Sequence, residues 1–532
     1  MPGIPLWSLR EDVHLEKDPT GDVTVLHSRW GDIGVTGKDA LVYECLRRMS
    51  FGPVSLENLL GAADGTSEAA TIGRRARLHY VLERIQPLVV RSLGMEDAKQ
   101  PLLSVVAVSQ HARFELRAVD PATPLRLSRF ATLRAQDGRL LMESPIALHR
   151  VAFHRPEAAW VVALLATPTT LDELGAPGAL DSDLLSDIMC YLAAAGLVVL
   201  GEQDDAGAMT FPEDDDPALF TWNATELQFH VQSRLGRHDG DFGATFPHVG
   251  RLPPEPAVKE PPDGKRIPLY RPALEDILPT DPALTTALET RRSIRRYGKR
   301  PISLRQIGEF LYRVARVRSV HSRVGVPPAT YEVSNRPYPS GGAAHEMEFY
   351  LTVGKCEGLE PGNYYYSPYG HCLVHLGGDE QTVGELIADS QALAGMTAPP
   401  QVLITYTARF RRLSWKYSGM WYALALKHVG VVQQTMCLVA TAMRLAATPL
   451  GAGDIDTSSR AFGLDWREES SVGELALGSL PPDDECTTWC CAAEAHPVND
   501  PEWAEHCLAT GSPRTNVSGN LPPESSSVQN RR

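Results

Sequence analysis

Long hydrophobic runs are missing from this chain. Apolar stretches such as Ala158–Ala166 and Tyr191–Leu200 fall well short of the roughly 20 residues a bilayer-spanning helix needs. The opening MPGIPLWSLREDVHLEKD holds no continuous apolar stretch of signal-peptide length. The expectation is a cytoplasmic protein without a membrane segment. Positive charge is also short: 51 Lys and Arg face 65 Asp and Glu, for a net charge of −14. That excludes a general nucleic-acid binder, which needs basic surface to displace counterions, but leaves room for a local anion site. Cysteine is scarce, nine in 532 residues, too few for a disulfide framework in a chain this long. Cys45, Cys190, Cys356, Cys372 and Cys437 stand alone and read as core residues. Cys486, Cys490, Cys491 and Cys507, with His496 and His506, fit no zinc finger or knuckle spacing, so no metal site is expected. No HExxH, P-loop or nucleophile-elbow sequence occurs, which leaves the chemistries those motifs mark without a carrier.

What is present is ordinary globular sequence, 43% hydrophobic and 22% charged, in a chain long enough for two to four domains. The first half holds a weak internal repeat. An apolar helical run, Leu41–Met49, precedes Pro53-Val54-Ser55-Leu56-Glu57-Asn58-Leu59; a second, Ala158–Ala166, precedes Pro168-Thr169-Thr170-Leu171-Asp172-Glu173-Leu174. Both read P-x-[ST]-L-[DE]-x-L, with Ser or Thr placed to cap the next helix. Each copy continues into a helix and an apolar strand, Leu78–Gln86 into Leu88–Val90 and Leu184–Ala195 into Leu197–Leu200. Strands at Arg139–Glu143 and His149–Phe153 complete the second copy. The pattern suggests two winged-helix-like modules, residues 1–112 and 113–212, related by duplication or else two generic α+β units. No helix among them has a basic face for DNA, and strand addition of a peptide at an open sheet edge suits them better.

Residues 213–275 read as an aromatic and Pro-rich extended linker, and Thr280-Asp281-Pro282 starts a new domain. Helices are expected at Ala283–Thr290, Leu304–Val314 and Met420–Ala447. Strands are expected at Glu348–Val353, Asn363–Tyr366, Cys372–Leu376, Gln401–Thr407 and Glu474–Gly478. After about Leu508 the polar tail should be disordered.

Four features of this C-terminal part carry chemistry. Arg291, Arg292, Arg295 and Arg296 crowd around Ser293 and Ile294; guanidinium groups so close call for an anion such as phosphate, or else form a solvated basic turn. Arg336-Pro337-Tyr338-Pro339-Ser340-Gly341-Gly342 makes a loop where backbone can approach a flat ligand, or a plain turn. Lys416-Tyr417, at a strand-to-helix junction, can give or take a proton; a surface Lys beside a packed Tyr is the alternative. Thr448-Pro449-Leu450-Gly451-Ala452-Gly453 follows the long helix and could turn backbone amides toward a cofactor, or simply stop the helix.

In this order the four features resemble the nitroreductase superfamily, and more closely its SagB/ThcOx-type azoline dehydrogenases of thiazole- and oxazole-containing peptide biosynthesis. The resemblance covers residues 280–480 well and the N-terminal half more loosely. It implies an α+β fold: an FMN domain over 276–482, an antiparallel-rich sheet flanked by helices, behind the two modules, with 483–532 a tail. It implies FMN phosphate at Arg291, Arg292, Ser293 and Arg295, the flavin along Pro339, Ser340, Gly341 and Gly342, and the flavin's reactive edge facing Leu450, Gly451 and Ala452. Lys416 and Tyr417 would be the acid/base pair. It further implies a homodimer with FMN at the interface, a precursor-peptide substrate and a cyclodehydratase partner. The segment Phe229–Arg237 with Phe242-Gly243 resembles a stretch that precedes the flavin domain in this branch. One departure concerns His345, followed by Glu346 where the branch carries Pro. The expected reaction oxidises a peptide thiazoline or oxazoline to the azole. The alternatives are an NAD(P)H-dependent nitro or flavin reductase, a carrier-bound substrate, and a non-catalytic precursor-peptide scaffold.

Overall fold

A computed structural model describes residues 3–17, 23–36, 40–61, 68–95, 100–174, 181–324, 330–377 and 380–482. The cysteines beyond residue 485 and the expected disordered tail lie outside these. The chain divides into two compact units, Met1–Asp241 and Phe242–Arg532.

The repeat seen in the sequence is a repeat of topology in the first unit. Strand Ile4–Leu9 pairs antiparallel with Val89–Gly94, and its Trp7 forms an isolated bridge with Val54. Strand Leu125–Leu127 pairs antiparallel with Val198–Leu200, and its Leu125 bridges Thr169. Each bridge holds the residue between the Pro and the capping hydroxyl of the shared motif. Ser55 Oγ then accepts the Asn58 amide at 3.1 Å, and Thr170 Oγ1 that of Glu173 at 3.3 Å. The two copies are not separate bodies. Ile4–Leu9 and Val89–Gly94 join Leu103–Ala107, His149–Phe153, Arg139–Glu143 and Thr132–Gln136 in one six-stranded antiparallel sheet. Backbone pairing of Leu103–Ala107 with His149–Phe153 crosses the boundary expected near residue 112.

The second unit is built on a seven-stranded antiparallel sheet. Its order is Arg266–Pro268, Cys372–His375, Gly362–Ser367, Met347–Val353, Val402–Arg409, Glu469–Ser479, Leu445–Leu450. The central strands are buried on both faces, so no solvent-facing polar residues alternate with their apolar ones. Phe349, Leu351, Ile404, Tyr406, Leu475 and Leu477 face the helices Leu304–Ala315 and Trp421–Ala442. Tyr350, Tyr365, Leu403 and Ala476 face the other way, toward Glu380–Leu393 and Ile455–Phe462. The long helix is shorter than the expected Met420–Ala447. It ends at Ala442, Arg444 takes a left-handed φ of 54°, and Leu445–Leu450 becomes the edge strand against Glu469–Ser479. Six residues of cross-strand pairing outweigh the helical propensity of Leu445-Ala446-Ala447.

The Pro-rich stretch that follows Asp241 is extended, as its composition suggests, yet it is fastened to this unit. Proline removes amide donors and leaves carbonyls without strand partners. Guanidinium groups, which have donors and no acceptors, take them. Arg409 donates to Pro256 O at 3.0 Å, Arg412 to Glu255 O at 2.7 Å, and Arg336 to Ala257 O at 3.3 Å. Trp415 Nε1 donates to Leu252 O at 2.9 Å. Residues 243–259 form a strap rather than a free spacer. Residues 213–241 belong to the first unit, where Glu213 accepts Ser128 Oγ at 2.6 Å.

Candidate active site

The strand Val402–Arg409 runs into a one-turn helix, Phe410–Ser414, and the chain then turns through Lys416 and Tyr417, whose amides both donate to Leu413 O. This turn aims both side chains at the Pro-Ser-Gly-Gly loop. Gly342 sits at φ 60°, and a Cβ there would lie 2.3 Å from Lys416 Nζ and 2.5 Å from Tyr417 Oη. A side chain here would have to push the ends of Lys416 and Tyr417 aside, and the left-handed φ itself favours glycine. Lys416 is 8% exposed. Its ammonium donates to Tyr331 Oη at 3.1 Å and lies 5.2 to 5.9 Å from the ring centres of Tyr331, Tyr417 and Phe246. Among the described residues no carboxylate pairs with it.

The loop itself is held from behind. Gly341 N–H donates to His428 Nε2 at 2.8 Å, which makes that nitrogen an acceptor and places the ring proton on Nδ1. Nδ1 then donates to Glu346 Oε1 at 2.7 Å, and Ser340 Oγ donates to Glu346 Oε2 at 3.3 Å while accepting the His345 amide at 3.0 Å. Glu346 is fully buried and His428 nearly so. Glu346, the departure from the expected Pro, is therefore the anchor of the loop. His345 points elsewhere. Burial, with Arg336, His428 and Arg412 nearby, pulls it down to about 3, so it stays neutral and stacks edge-on against Tyr338. Arg412 clamps the surroundings together, donating to Ala344 O, Glu255 O and Glu332 O. Burial, and then the charges of Arg409 and Arg336, lower its pKa to about 10.

A second cluster gathers at the sheet edge. Arg291 closes the helix Leu284–Thr290, and the chain then runs beside the edge strand, with Ile294 N–H donating to Ala447 O at 3.1 Å and Thr448 Oγ1 to Ile294 O at 2.9 Å. The arginine run thus abuts the strand that ends in Pro449-Leu450. Arg291, Arg292 and Arg296 pair with no carboxylate among the described residues; nearby Cys437 has its thiol pushed up by burial, which the charge of Arg291 offsets only in part. Leu450 is buried while Gly451 and Ala452 are exposed. Beneath them lies Glu474, 3% exposed, paired in register with Leu450. A Cβ on Gly453 would sit 2.4 Å from its Oε1. Burial, reinforced by Asp389 and Asp454, pushes Glu474 up to about 7.

The structure therefore joins Ser340, Gly341, Gly342, Lys416 and Tyr417 in one place and Arg291, Ser293, Arg295, Leu450, Gly451 and Ala452 in another. The long helix grips both. His428 bonds the first group, and Gln433 Nε2 donates to Leu450 O at 3.1 Å and to Glu474 O at 3.3 Å. Five residues separate them, about 7.5 Å along the axis and about 140° around it, so the two groups flank different sides of the helix. Sequence reasoning missed Phe246, Tyr331, Glu346, His428 and Glu474. Only Glu346 carried a signal, as a departure from the expected residue.

The chain matches known families in two stretches. Residues 288–479 match the nitroreductase family, and residues 125–239 match the cyanobactin oxidase ThcOx. MJ1384 of Methanocaldococcus jannaschii, a protein named as a nitroreductase, is 28% identical over 189 residues, covering 36% of this chain and 86% of its own. Among solved structures, a nitroreductase homologue from Ralstonia eutropha JMP134 aligns with TM-score 0.31 and 19% identity over 43% of this chain and 99% of its own. The Escherichia coli microcin synthetase McbBCD complex with truncated pro-MccB17 aligns with TM-score 0.30 and 21% identity over 48% of this chain and 92% of that one.

Proposed function

We propose that this chain, whose residues 288–479 are a nitroreductase-family domain, is an FMN-dependent azoline dehydrogenase that oxidises thiazoline or oxazoline rings of a peptide to thiazole or oxazole. The observation that carries the reading is the meeting of Lys416 Nζ and Tyr417 Oη over Gly342. A pair of proton-transferring groups held together over a glycine loop is what a dehydrogenation needs and a simple electron relay does not.

The residues fit FMN. Arg291, Arg292 and Arg296, without carboxylate partners among the described residues, stand around Ser293 in a chain of net charge −14, a setting that favours a phosphate. The half-buried glycines 341–342 and the exposed segment 451–453 let a flat ring approach backbone. Arg291, Arg292, Ser293 and Arg295 would hold the phosphate, with Pro339–Gly342 and Leu450–Ala452 along the ring. Bound FMN supplies the two-electron acceptor for the hydride lost by the azoline ring. Lys416 or Tyr417 takes the proton from the adjacent ring carbon, and aromatisation supplies the driving force. The Glu346–His428 pair keeps the loop at fixed height beneath them.

Because the phosphate-side and base-side groups flank different sides of one helix, a second copy completing each site is the natural assembly. Exposed Leu274, Leu278, Leu284, Leu288, Tyr422 and Leu426 supply an apolar surface for it. The helix Trp421–Ala442 is apolar enough to cross a membrane, with only 39% of its most apolar window buried; a homodimer would cover the rest. The first unit, read as two winged-helix-like modules, would hold the precursor peptide, and a cyclodehydratase would supply the azoline, in the cytoplasm. Lys416→Ala should retain FMN and lose azole formation. Unchanged turnover refutes the assignment, and a wild-type protein whose flavin is reduced rapidly by NADPH alone would favour a nitro or flavin reductase instead.

A further inference from the structure

We infer that Tyr331 and Phe246 are positioning residues of the acid/base site, delivered to Lys416 by two segments outside the sequence motifs. The inference rests on the reading that Lys416 transfers a proton. Lysine is a poor proton-transfer group for a directional step unless it is held, because its nitrogen rides on a flexible stem of four rotatable bonds. The usual restraint is a carboxylate, and among the described residues none reaches Lys416. The restraint here is a hydroxyl and three rings: Tyr331 Oη accepts from Nζ at 3.1 Å, and the ring centres of Tyr331, Tyr417 and Phe246 stand at 5.2, 5.2 and 5.9 Å. That is the range in which an ammonium is held by aromatic faces. A neutral clamp has a chemical merit. A carboxylate would compete for the proton that Lys416 must exchange with substrate, whereas a phenol oxygen and ring faces fix the nitrogen without taking its charge.

The backbone is arranged to deliver these groups. The strap crosses the Lys416 turn with paired bonds, Gly243 N–H to Ser418 O at 3.1 Å and Ser418 N–H to Gly243 O at 2.9 Å, and Phe246 N–H donates to Lys416 O at 3.0 Å. Thr245 Oγ1 and Ser418 Oγ are 2.8 Å apart. So pinned, Phe246 adopts φ 53°, a left-handed conformation that a bulky residue seldom enters and that costs energy unless the surroundings enforce it. The result is a ring packed edge-on against Trp415 and tilted against Tyr331. From the other side Arg412 fixes the strand of Tyr331 through Glu332 O at 3.1 Å. The Lys416 turn thus has walls from residues 243–246 and from the strand Thr330–Asn335.

The test uses the full-length protein. Tyr331→Phe keeps the ring and removes the acceptor. It should lower kcat for azoline oxidation roughly tenfold while leaving KM within about twofold, the loss of one hydrogen bond to a charged group. It should also raise labelling of Lys416 by an amine-specific reagent several-fold, read by peptide mass spectrometry. Phe246→Leu should raise the same labelling with FMN content unchanged. Wild-type labelling and wild-type kcat in Tyr331→Phe would overturn the inference. Should the wild-type protein oxidise no azoline, the substrate reading fails alone, and the labelling still decides whether Tyr331 and Phe246 hold Lys416.

Discussion

Glu474 should make the stability of the second unit depend on pH, and Glu474→Gln should remove that dependence. The carboxyl is buried at the sheet edge, beside Asp454, which caps the helix Ile455–Phe462 by accepting the Thr457 amide at 2.7 Å and is held below the usual carboxylate range by that bond. Asp389 lies on its other side. Burial first, and these two charges after it, raise Glu474 from 4.5 to about 7. Between those values the folded protein keeps a proton that the unfolded chain has released. Stability therefore falls as pH rises through the window, is intact below it and is level above it. At about 1.36 kcal/mol per pH unit the full loss is about 3 kcal/mol. Glutamine has nearly the same shape and no charge at any pH. Urea unfolding from pH 4.5 to 8, followed by hydrogen exchange of the peptide covering Glu469–Ser479, would separate this term from other titrations by comparing the two proteins at each pH. The variant should match the wild type near pH 4.5 and exceed it by about 3 kcal/mol at pH 8. A difference that stays flat across the range refutes the reasoning.

Replacing both Arg291 and Arg295 with alanine should weaken FMN binding at least about tenfold and leave riboflavin binding nearly unchanged, since the phosphate is what they would hold; equilibrium dialysis with both flavins checks it. Gly342→Ala should displace Lys416 and Tyr417 and cost about 1–2 kcal/mol from the left-handed φ alone, with azoline oxidation lost while FMN is retained, as read by activity and by the visible spectrum. Arg412→Met leaves three carbonyls without their donor and should destabilise the second unit by about 3 kcal/mol or more, seen in the urea midpoint.

The parts of this protein that were legible in the sequence are those fixed by local chemistry. The P-x-[ST]-L-[DE]-x-L repeat marked two capping hydroxyls, because a hydroxyl before a helix accepts amides that would otherwise go unpaired; Ser55 opens the expected helix, Leu56–Gly61, whereas Thr170 opens only a turn over 171–174. Strands such as Arg139–Glu143 and His149–Phe153 appear at the expected residues, since short apolar runs bounded by turns have few alternatives. The helix starting at Leu304 follows from its capping box, Ser303 and Gln306 bonding reciprocally. The end of the long helix was misjudged for a physical reason. Leu445–Ala447 favours helix locally, and only pairing with a strand some 30 residues further along the chain makes it an edge. The Pro-rich stretch read as a spacer because its composition reports missing donors and says nothing of the arginines that take its carbonyls.

The site divides along the same line. Sequence alone marked the arginine run, the Pro-Ser-Gly-Gly loop, Lys416-Tyr417 and the Leu450–Ala452 segment, because each is a local concentration of one kind of chemistry. Tertiary structure alone decided what surrounds them. It set Glu346 and His428, 82 residues apart, behind the loop, brought Phe246 and Tyr331 against Lys416, and buried Glu474 beneath the glycines. Those contacts join residues distant in the chain whose types are common and whose neighbours in sequence are unremarkable, so nothing short of the folded arrangement of strap, hairpin and helix could bring them together.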